Sequence, residues 1–401
     1  MTRILIDQTH TSHTRAHTGI QRLSRALCAA MRERQDKEIL PVCYDPYESR
    51  WRPLRRSEER NLAVPRGDIV GGRGSRWPLH AKIAGRIRRF LGRHAQFRSA
   101  PIPTGDCLIV PEIFSPGVAR ALPDLLSGIT GPRVALFHDA TALRIPELSP
   151  AKTVARYPAY LQELLRFDGV AAISEESRAV LVDYWRWLGV ARTPVAIGLP
   201  LGVDRPAPPP FGHTTAIQAA PVVLCVGSIE GRKNHLVLLD ACEMLWKRGL
   251  RFDLQIIGLA QQETGRPALD RLRALQAAGR PLAYDGPATE SGLAHAYRSC
   301  AFTVYPSLME GFGLPVLESL SYGKPCISSA QGALGESTNG GGCLALPTVD
   351  APTLAEAIAL LLSDRERLEF LTAAAQKRTI KTWSVYAGEL LDWIATLKRL
   401  A

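Results

Sequence analysis

The segment Glu310-Gly-Phe-Gly-Leu-Pro-Val-Leu-Glu318 sets two carboxylates on either side of a glycine turn. It follows an apolar run that reads as a strand, and Pro315 suits the first turn of a helix. Gly311 and Gly313 let the backbone approach a ligand with no side chain in between. The amides of Phe312, Gly313 and Leu314 would then meet an anion or a hydroxyl at a helix N-terminus. Glu310 lies just before the turn, and Glu318 falls in the first helical turns. Such a set suits a ligand that carries both hydroxyls and phosphate. The plainer alternative is a solvated turn with surface glutamates. As a dinucleotide fingerprint the segment fails, having no third glycine and not forming the first strand-to-helix turn of its domain.

A second segment, Val226-Gly-Ser-Ile-Glu-Gly-Arg-Lys-Asn-His235, also joins a strand to a helix. Arg232 and Lys233 at a helix start oppose the helix dipole. A phosphate or diphosphate held between them and the amides would remove that conflict, and two solvated basic residues are the alternative. Gly227 and Ser228 open this loop, while Gly258 and Gly286 close two further strands of the same half and join the ligand-binding set. In the first half, His138 and Asp139 end a strand, where the pair binds sugar, transfers protons or is structural. The loop His10-Thr-Ser-His-Thr-Arg15-Ala-His17-Thr-Gly19 holds three histidines with no Cys or acidic residue beside them. No metal site is expected there. A flexible ligand-contacting loop ending at Gly19, with Arg15 on the acceptor side, is the better reading.

The elements that must place these groups alternate between strands and helices, the pattern of parallel sheets. Strands are expected at Arg3–Asp7, Ile39–Tyr44, Asp106–Glu112, Arg133–Asp139, Gly169–Ser174 and Val195–Leu201. After Pro206, Pro208, Pro209 and Pro210 the pattern restarts with Pro221–Ser228, Phe252–Gly258, Leu282–Gly286, Cys300–Ser307 and Cys326–Ser329. Helices are expected at Ile20–Arg34 and Lys233–Arg248. This predicts an α/β chain of two doubly wound, Rossmann-like domains facing a cleft. The first is 1–205, with a basic insertion at 50–98. A proline-rich linker, 206–220, leads to a second domain, 221–380, and a C-terminal helix, 381–401, that crosses back to the first domain.

With 401 residues, 46% of them hydrophobic, the chain suits two cores. No apolar run is long enough to span a membrane, and the first residues lack a signal-peptide pattern, so a cytoplasmic location is expected. Eight cysteines without a Cys-x-x-Cys pair read as buried free thiols, which excludes a disulfide scaffold and a zinc ribbon. The net charge of +11 is concentrated between Arg50 and Arg98, where thirteen arginines and one lysine face three acids. Within it Leu79, Ile83, Ile87, Phe90 and Leu91 share one helical arc flanked by Lys82, Arg86, Arg89 and Arg93, the pattern of a helix on an anionic membrane. A core-packed helix with a solvated basic edge is the alternative.

The segment from Glu310 to Glu318 resembles the E-x7-E motif of the retaining glycosyltransferases of the GT-B fold, family 4 or group 1. Gly227-Ser-Ile-Glu-Gly-Arg-Lys-Asn-His is similar to the phosphate-binding segment of that group. Phe137-His-Asp, Ala172-Ile-Ser-Glu-Glu-Ser-Arg178 and Leu199-Pro-Leu-Gly-Val-Asp204 resemble its first-domain landmarks. The resemblance spans nearly the whole chain and is weakest from Arg50 to Ala100. It implies a nucleotide-diphosphate sugar held mainly by the second domain, with GDP-mannose favoured. By the same resemblance Lys233 and Arg232 meet the diphosphate and Glu318 the ribose. Glu310, with Gly311, Phe312, Gly313 and Leu314, meets the donor sugar. His138 reaches the sugar from the first domain, and Gly19 lies near phosphate or acceptor. Many members carry Arg where this chain has Ser228, which shifts charge neutralisation towards Lys233 and Arg232.

Retention is implied, by same-face attack with the leaving phosphate taking the acceptor's proton. The chain has no Asp-x-Asp, so metal-independent transfer without a cofactor is expected. The expected acceptor is a saccharide, lipid-linked in surface polysaccharide or glycolipid synthesis, on the inner face of the cytoplasmic membrane. The competing readings are an epimerase or phosphorylase on the same fold, for which no matching residues are found, and a basic nucleic-acid-binding protein. Against the last, only Trp51, Trp77, Phe90 and Phe97 of the basic segment offer stacking groups, so no nucleic-acid partner is expected.

Overall fold

A computed structural model describes residues 2–16, 18–63, 77, 79, 82, 83, 87, 101–203, 220–284 and 286–399. Residues 206–219 of the expected linker and most of the arc at 79–93 therefore lie outside the described residues. The first sheet contains β1 (Thr2–Asp7), β2 (Lys37–Asp45), β3 (Arg50–Pro53), β4 (Cys107–Val110), β5 (Arg133–Phe137), β6 (Gly169–Ala172) and β7 (Val195–Gly198), in the order β3-β2-β1-β4-β5-β6-β7. All pairs are parallel except β2 with β3. The second sheet contains β8 (Val222–Val226), β9 (Asp253–Ile257), β10 (Leu282–Tyr284), β11 (Phe302–Tyr305), β12 (Cys326–Ser329) and β13 (Cys343–Leu346). Its order is β10-β9-β8-β11-β12-β13, parallel throughout.

Central strands such as β4, β6, β8 and β11 are buried along their whole length because helices cover both faces. The helices that matter for the site are α1 (Gly19–Arg32), α2 (Arg56–Leu62), α3 (Glu175–Trp187), α4 (His235–Lys247), α5 (Glu290–Ser299), α6 (Leu314–Ser321), α7 (Gly332–Thr338) and α8 (Trp383–Thr396). Helix α3 starts where Ser174 Oγ accepts the Ser177 amide at 3.1 Å, and α8 where Thr382 accepts that of Val385. Trp383, Tyr386, Leu390 and Ile394 of α8 share one core with Leu23, Leu27 and Met31 of α1, so the chain's last helix is cemented to its first.

Strand order reverses between β1 and β4 in one sheet and between β8 and β11 in the other. Ligands of open parallel sheets settle beyond the carboxyl ends of strands at such switch points. The loop after β8 carries Arg232 and Lys233, and the loop after β11 carries Glu310. All eight cysteines are free, seven of them buried.

Three features depart from the sequence reading. The second helix begins at His235 rather than Lys233, because Asn234 turns left-handed (φ 57°) after a single 3-10 turn, Gly231–Lys233. Strands β3 and β13 were not anticipated. The start of the basic segment is also built into the fold. Arg52 forks onto Glu58 at 2.6 and 2.7 Å and reaches Asp45 at 3.0 Å, while Arg50 and Arg55 pair with Glu48. Trp51, named as a stacking group, is buried and donates its indole N–H to the Ala121 carbonyl at 2.7 Å.

Candidate active site

The loops after β8 and β11 are tied to one another. The Leu308 amide donates to the Arg232 carbonyl at 2.9 Å, and an Arg232 guanidinium nitrogen to the Met309 carbonyl at 3.2 Å. Between them a buried charged cluster forms around Glu310. Arg232 meets Glu310 Oε2 at 2.6 Å and Glu230 at 3.0 Å, and Lys233 Nζ pairs with Glu310 Oε1. Tyr305, at the end of β11, donates its hydroxyl to the same oxygen at 2.9 Å and accepts from Lys233. Sequence reasoning missed this tyrosine, since a single aromatic ending an apolar strand reads as core.

Burial opposes ionisation of Glu310, but the charges of Arg232 and Lys233 outweigh it and hold its pKa at about 2. Burial lowers the pKa of Lys233, against the pull of Glu310 and with the push of Arg232. Burial, then the neighbouring Glu310 carboxylate, keeps the Tyr305 hydroxyl protonated well above its ordinary range. The loop therefore presents two cations and a charged carboxylate at one point, the equipment for holding a diphosphate beside a hydroxylated group. His235 begins α4 with both ring nitrogens buried and unpartnered among the described residues. Burial and the Lys233 charge lower its pKa to about 3, so it is neutral.

The two glycines of the motif do different work from that expected. A Cβ on Gly311 would sit 2.0 Å from the His138 carbonyl oxygen, so this glycine admits the first domain's backbone rather than a ligand. Gly313 caps α6 at φ 102°, a left-handed conformation that glycine tolerates best. Phe312 is buried, and its carbonyl accepts from Ser337; Leu314 opens α6. Gly227 packs against the Tyr305 ring and the Lys233 stem, and Gly258 lies against the Gly227 carbonyl. The Gly286 carbonyl accepts the Gly258 amide at 3.0 Å, and Ser228 Oγ donates to Glu230 at 3.0 Å. Glu318 pairs with Arg22 of α1 and accepts from the Tyr297 hydroxyl at 3.0 Å.

From the first domain, His138 presents its carbonyl to the cleft while its ring is turned inward. The ring is buried, with Nε2 donating to the Pro111 carbonyl at 2.8 Å, and burial lowers its pKa. Asp139 Oδ1 accepts the Thr141 amide at 2.9 Å. Gly19 lies at the exposed start of α1, and Arg15 is exposed. The histidine loop is held firmly rather than flexibly. Glu112 accepts the His10 and Thr11 amides, both at 2.7 Å, and Arg25 donates to the Thr14 and Ala16 carbonyls at 2.6 and 2.8 Å. Its neighbours also differ from those in sequence, because folding brings Cys43 and Glu58 to His13, all three buried with ligand atoms within 4.8 Å. Glu58 already answers the Arg52 guanidinium and His13 Nε2 (2.9 Å), so the carboxylate is neutralised without an ion. His17 lies outside the described residues.

Comparison with known proteins bears on the fold and the family. Residues 220–364 match the family of glycosyl transferases group 1. The serotype-specific mannosyltransferase WbdA of Escherichia coli is 24% identical over 346 residues, covering 81% of this chain and 38% of WbdA. The O-antigen chain mannosyltransferase B of Escherichia coli is 28% identical, covering 60% of this chain and 64% of its own length. The chain thus spans less than two thirds of either relative. Among solved structures, sucrose-phosphate synthase from Thermosynechococcus elongatus superposes with a TM-score of 0.67 at 18% identity, covering 98% of both chains. Anabaena HepE in complex with UDP and glucose gives 0.65 at 15% identity, covering 99% of this chain and all of HepE. The fold is that of the GT-B glycosyltransferases, as the sequence predicted.

Proposed function

We propose that this chain, a group 1 glycosyltransferase by its second domain and its GT-B fold, moves a sugar from a nucleotide-diphosphate sugar to a saccharide acceptor. One observation carries the reading: Glu310 is clamped by Arg232 and Lys233 at the turn onto α6, beyond the strands where the sheet order reverses. Lys233 and Arg232 meet the diphosphate, Glu318 the ribose hydroxyls, and Glu310 the donor sugar. Charge that develops on the leaving phosphate is met by cations already fixed in place, which is the effective form of stabilisation. The acceptor attacks on the face the phosphate leaves, so configuration is retained and the phosphate takes the acceptor's proton. His138 and Asp139 lie beside the donor loop, against Gly311, with the His138 ring held by Pro111 rather than aimed at the sugar.

GDP-mannose is the favoured donor, supported by the mannosyltransferase names of the relatives. A lipid-linked acceptor in surface polysaccharide synthesis follows from the same names and from the basic segment. In the part of that segment that is described, Leu79, Ile83 and Ile87 are helical and 72%, 48% and 51% exposed. No helix of the described residues is long and apolar enough to cross a membrane, so contact with lipid would be peripheral. Transfer needs no metal in this reading, because fixed cations do the work and the chain has no Asp-x-Asp.

The test is a screen of nucleotide release from GDP-, UDP- and dTDP-sugars, with and without EDTA. Release of GDP from GDP-mannose that persists in chelator is expected. Release from no donor overturns the function, and loss in EDTA with recovery on Mn²⁺ or Mg²⁺ overturns metal independence.

A further inference from the structure

Glu318 is claimed from both sides of the cleft. Tyr297 of α5 donates to its Oε2 at 3.0 Å, a contact within the second domain. Arg22 of α1, one helical turn beyond Gly19, brings a guanidinium from the first domain to Oε1. The arginine side chain is 24% exposed and the carboxylate 7%, so water reaches the cation more than the anion. A ribose presents two adjacent hydroxyls, and a carboxylate takes them best with both oxygens, one per hydroxyl. Tyr297 approaches along the wall that would bear the nucleotide, and Arg22 comes from the wall that faces it.

We propose that Arg22 sets the affinity of the donor site by competing with the nucleotide ribose for Glu318, a role that rests on the assignment of Glu318 to the ribose. Nucleotide entry then exchanges an ion pair for two hydroxyl contacts and frees α1 from α6. Because Arg22 is anchored in the first domain, the exchange also loosens one tie across the cleft. The site holds a nucleoside diphosphate less tightly than its contacts alone would allow, which favours release of the product nucleotide.

The competition has a signature that simple loss of packing lacks, because it acts only on nucleotides with ribose hydroxyls. Binding of GDP and of its 2′,3′-dideoxy analogue is measured by calorimetry for the wild type, Arg22→Ala and Glu318→Gln. The wild type is expected to prefer GDP, and Glu318→Gln to lose that preference. Arg22→Ala is expected to bind GDP about fivefold more tightly, the worth of a partly exposed ion pair, with the dideoxy analogue unchanged. The same pattern is expected with UDP and its dideoxy analogue if UDP proves the better ligand. If the Glu318-dependent preference is present but Arg22→Ala leaves GDP binding unchanged or weaker, the Arg22 proposal is overturned and the ribose assignment stands. An equal gain for both nucleotides also overturns it, since the effect is then general loosening. If the wild type shows no preference, or Glu318→Gln keeps it, the ribose assignment fails and the competition with it.

Discussion

At the scale of residues, the charged knot at Glu310 makes separable claims. Lys233 balances Glu310 and is assigned to the diphosphate, so Lys233→Ala removes a charge-assisted contact worth roughly 2–4 kcal/mol in the transition state, ~30- to 1,000-fold in turnover. Tyr305→Phe keeps the ring and removes only the hydroxyl that shares Glu310 Oε1, so a fall of about tenfold or less is expected. Steady-state kinetics on the donor found by nucleotide release ranks the two; a larger loss in Tyr305→Phe than in Lys233→Ala would refute the division of roles. A second residue-scale claim concerns Asp7, which faces Glu112 at the carboxyl ends of β1 and β4. Burial first, and the Glu112 charge second, raise its pKa from 3.8 to about 7. The folded state therefore holds a proton that the unfolded chain has already lost. Asp7 favours folding most below about pH 4, and that contribution is lost as pH rises from about 4 to 7. Asp7→Asn keeps an acceptor for the Thr9 amide and hydroxyl without the charge. It should raise stability at pH 8 by about 1–2 kcal/mol and flatten the dependence between pH 4 and 7 in denaturant melts.

At the scale of elements, what sequence reveals is governed by how local the cause is. Apolar runs placed eleven of the thirteen strands among the described residues, because a parallel strand buried on both faces is written in its own residues. Strand β3 was hidden because Arg50 and Arg52 look solvated, and only Asp45, Glu48 and Glu58 make them tolerable in a fold. Strand β13 was hidden because its Cys-Leu-Ala-Leu run is short and follows three glycines. The two chemistry-bearing loops were legible as strand-to-helix turns, but the start of α4 was not, since Asn234 turns left-handed for reasons its neighbours do not announce. Tyr305 and Arg22 were illegible for the same reason, each deriving its place from a partner distant in sequence. The β3–α2 corner yields its own prediction. Glu58 is 4% exposed and answers Arg52 twice, His13 once and the Arg55 amide at 2.7 Å. Glu58→Ala leaves the Arg52 charge buried against Asp45 alone and should cost about 3–5 kcal/mol. A shift below about 1 kcal/mol in urea unfolding would show that the corner is dispensable.

At the scale of the molecule, side chains of one domain answer backbone groups of the other. Glu336 of α7 accepts the Glu175 and Glu176 amides at 3.0 and 2.7 Å, a carboxylate of one domain at the N-terminus of a helix in the other. Ser177 donates to the carbonyls of His138 and Gly311, both at 3.3 Å, which joins the landmarks of both halves in one contact. The proposed donor residues Arg232, Lys233 and Glu310 thus belong to one side of this seam, and the charge surplus lies wholly in the first domain. Since Arg50, Arg52 and Arg55 are spent on internal ion pairs, the proposed attraction to lipid rests chiefly on residues 64–98, where eight arginines and one lysine face Asp68 alone. In sequence that cationic stretch flanks Leu79, Ile83 and Ile87, which are exposed, and an apolar stripe among cations is what an anionic bilayer holds. Replacing Ile83 and Ile87 by Glu removes two inserting side chains and two units of attraction, which should lower vesicle affinity by about two orders of magnitude or more. Sedimentation with phosphatidylserine-containing and neutral liposomes measures it, and wild-type binding should fall as salt shortens the Debye length. Turnover on a water-soluble acceptor should survive both changes, because Arg232, Lys233 and Glu310 belong to the other domain. A wild type that ignores anionic vesicles at low salt would instead make the stripe a surface for the acceptor or for another protein.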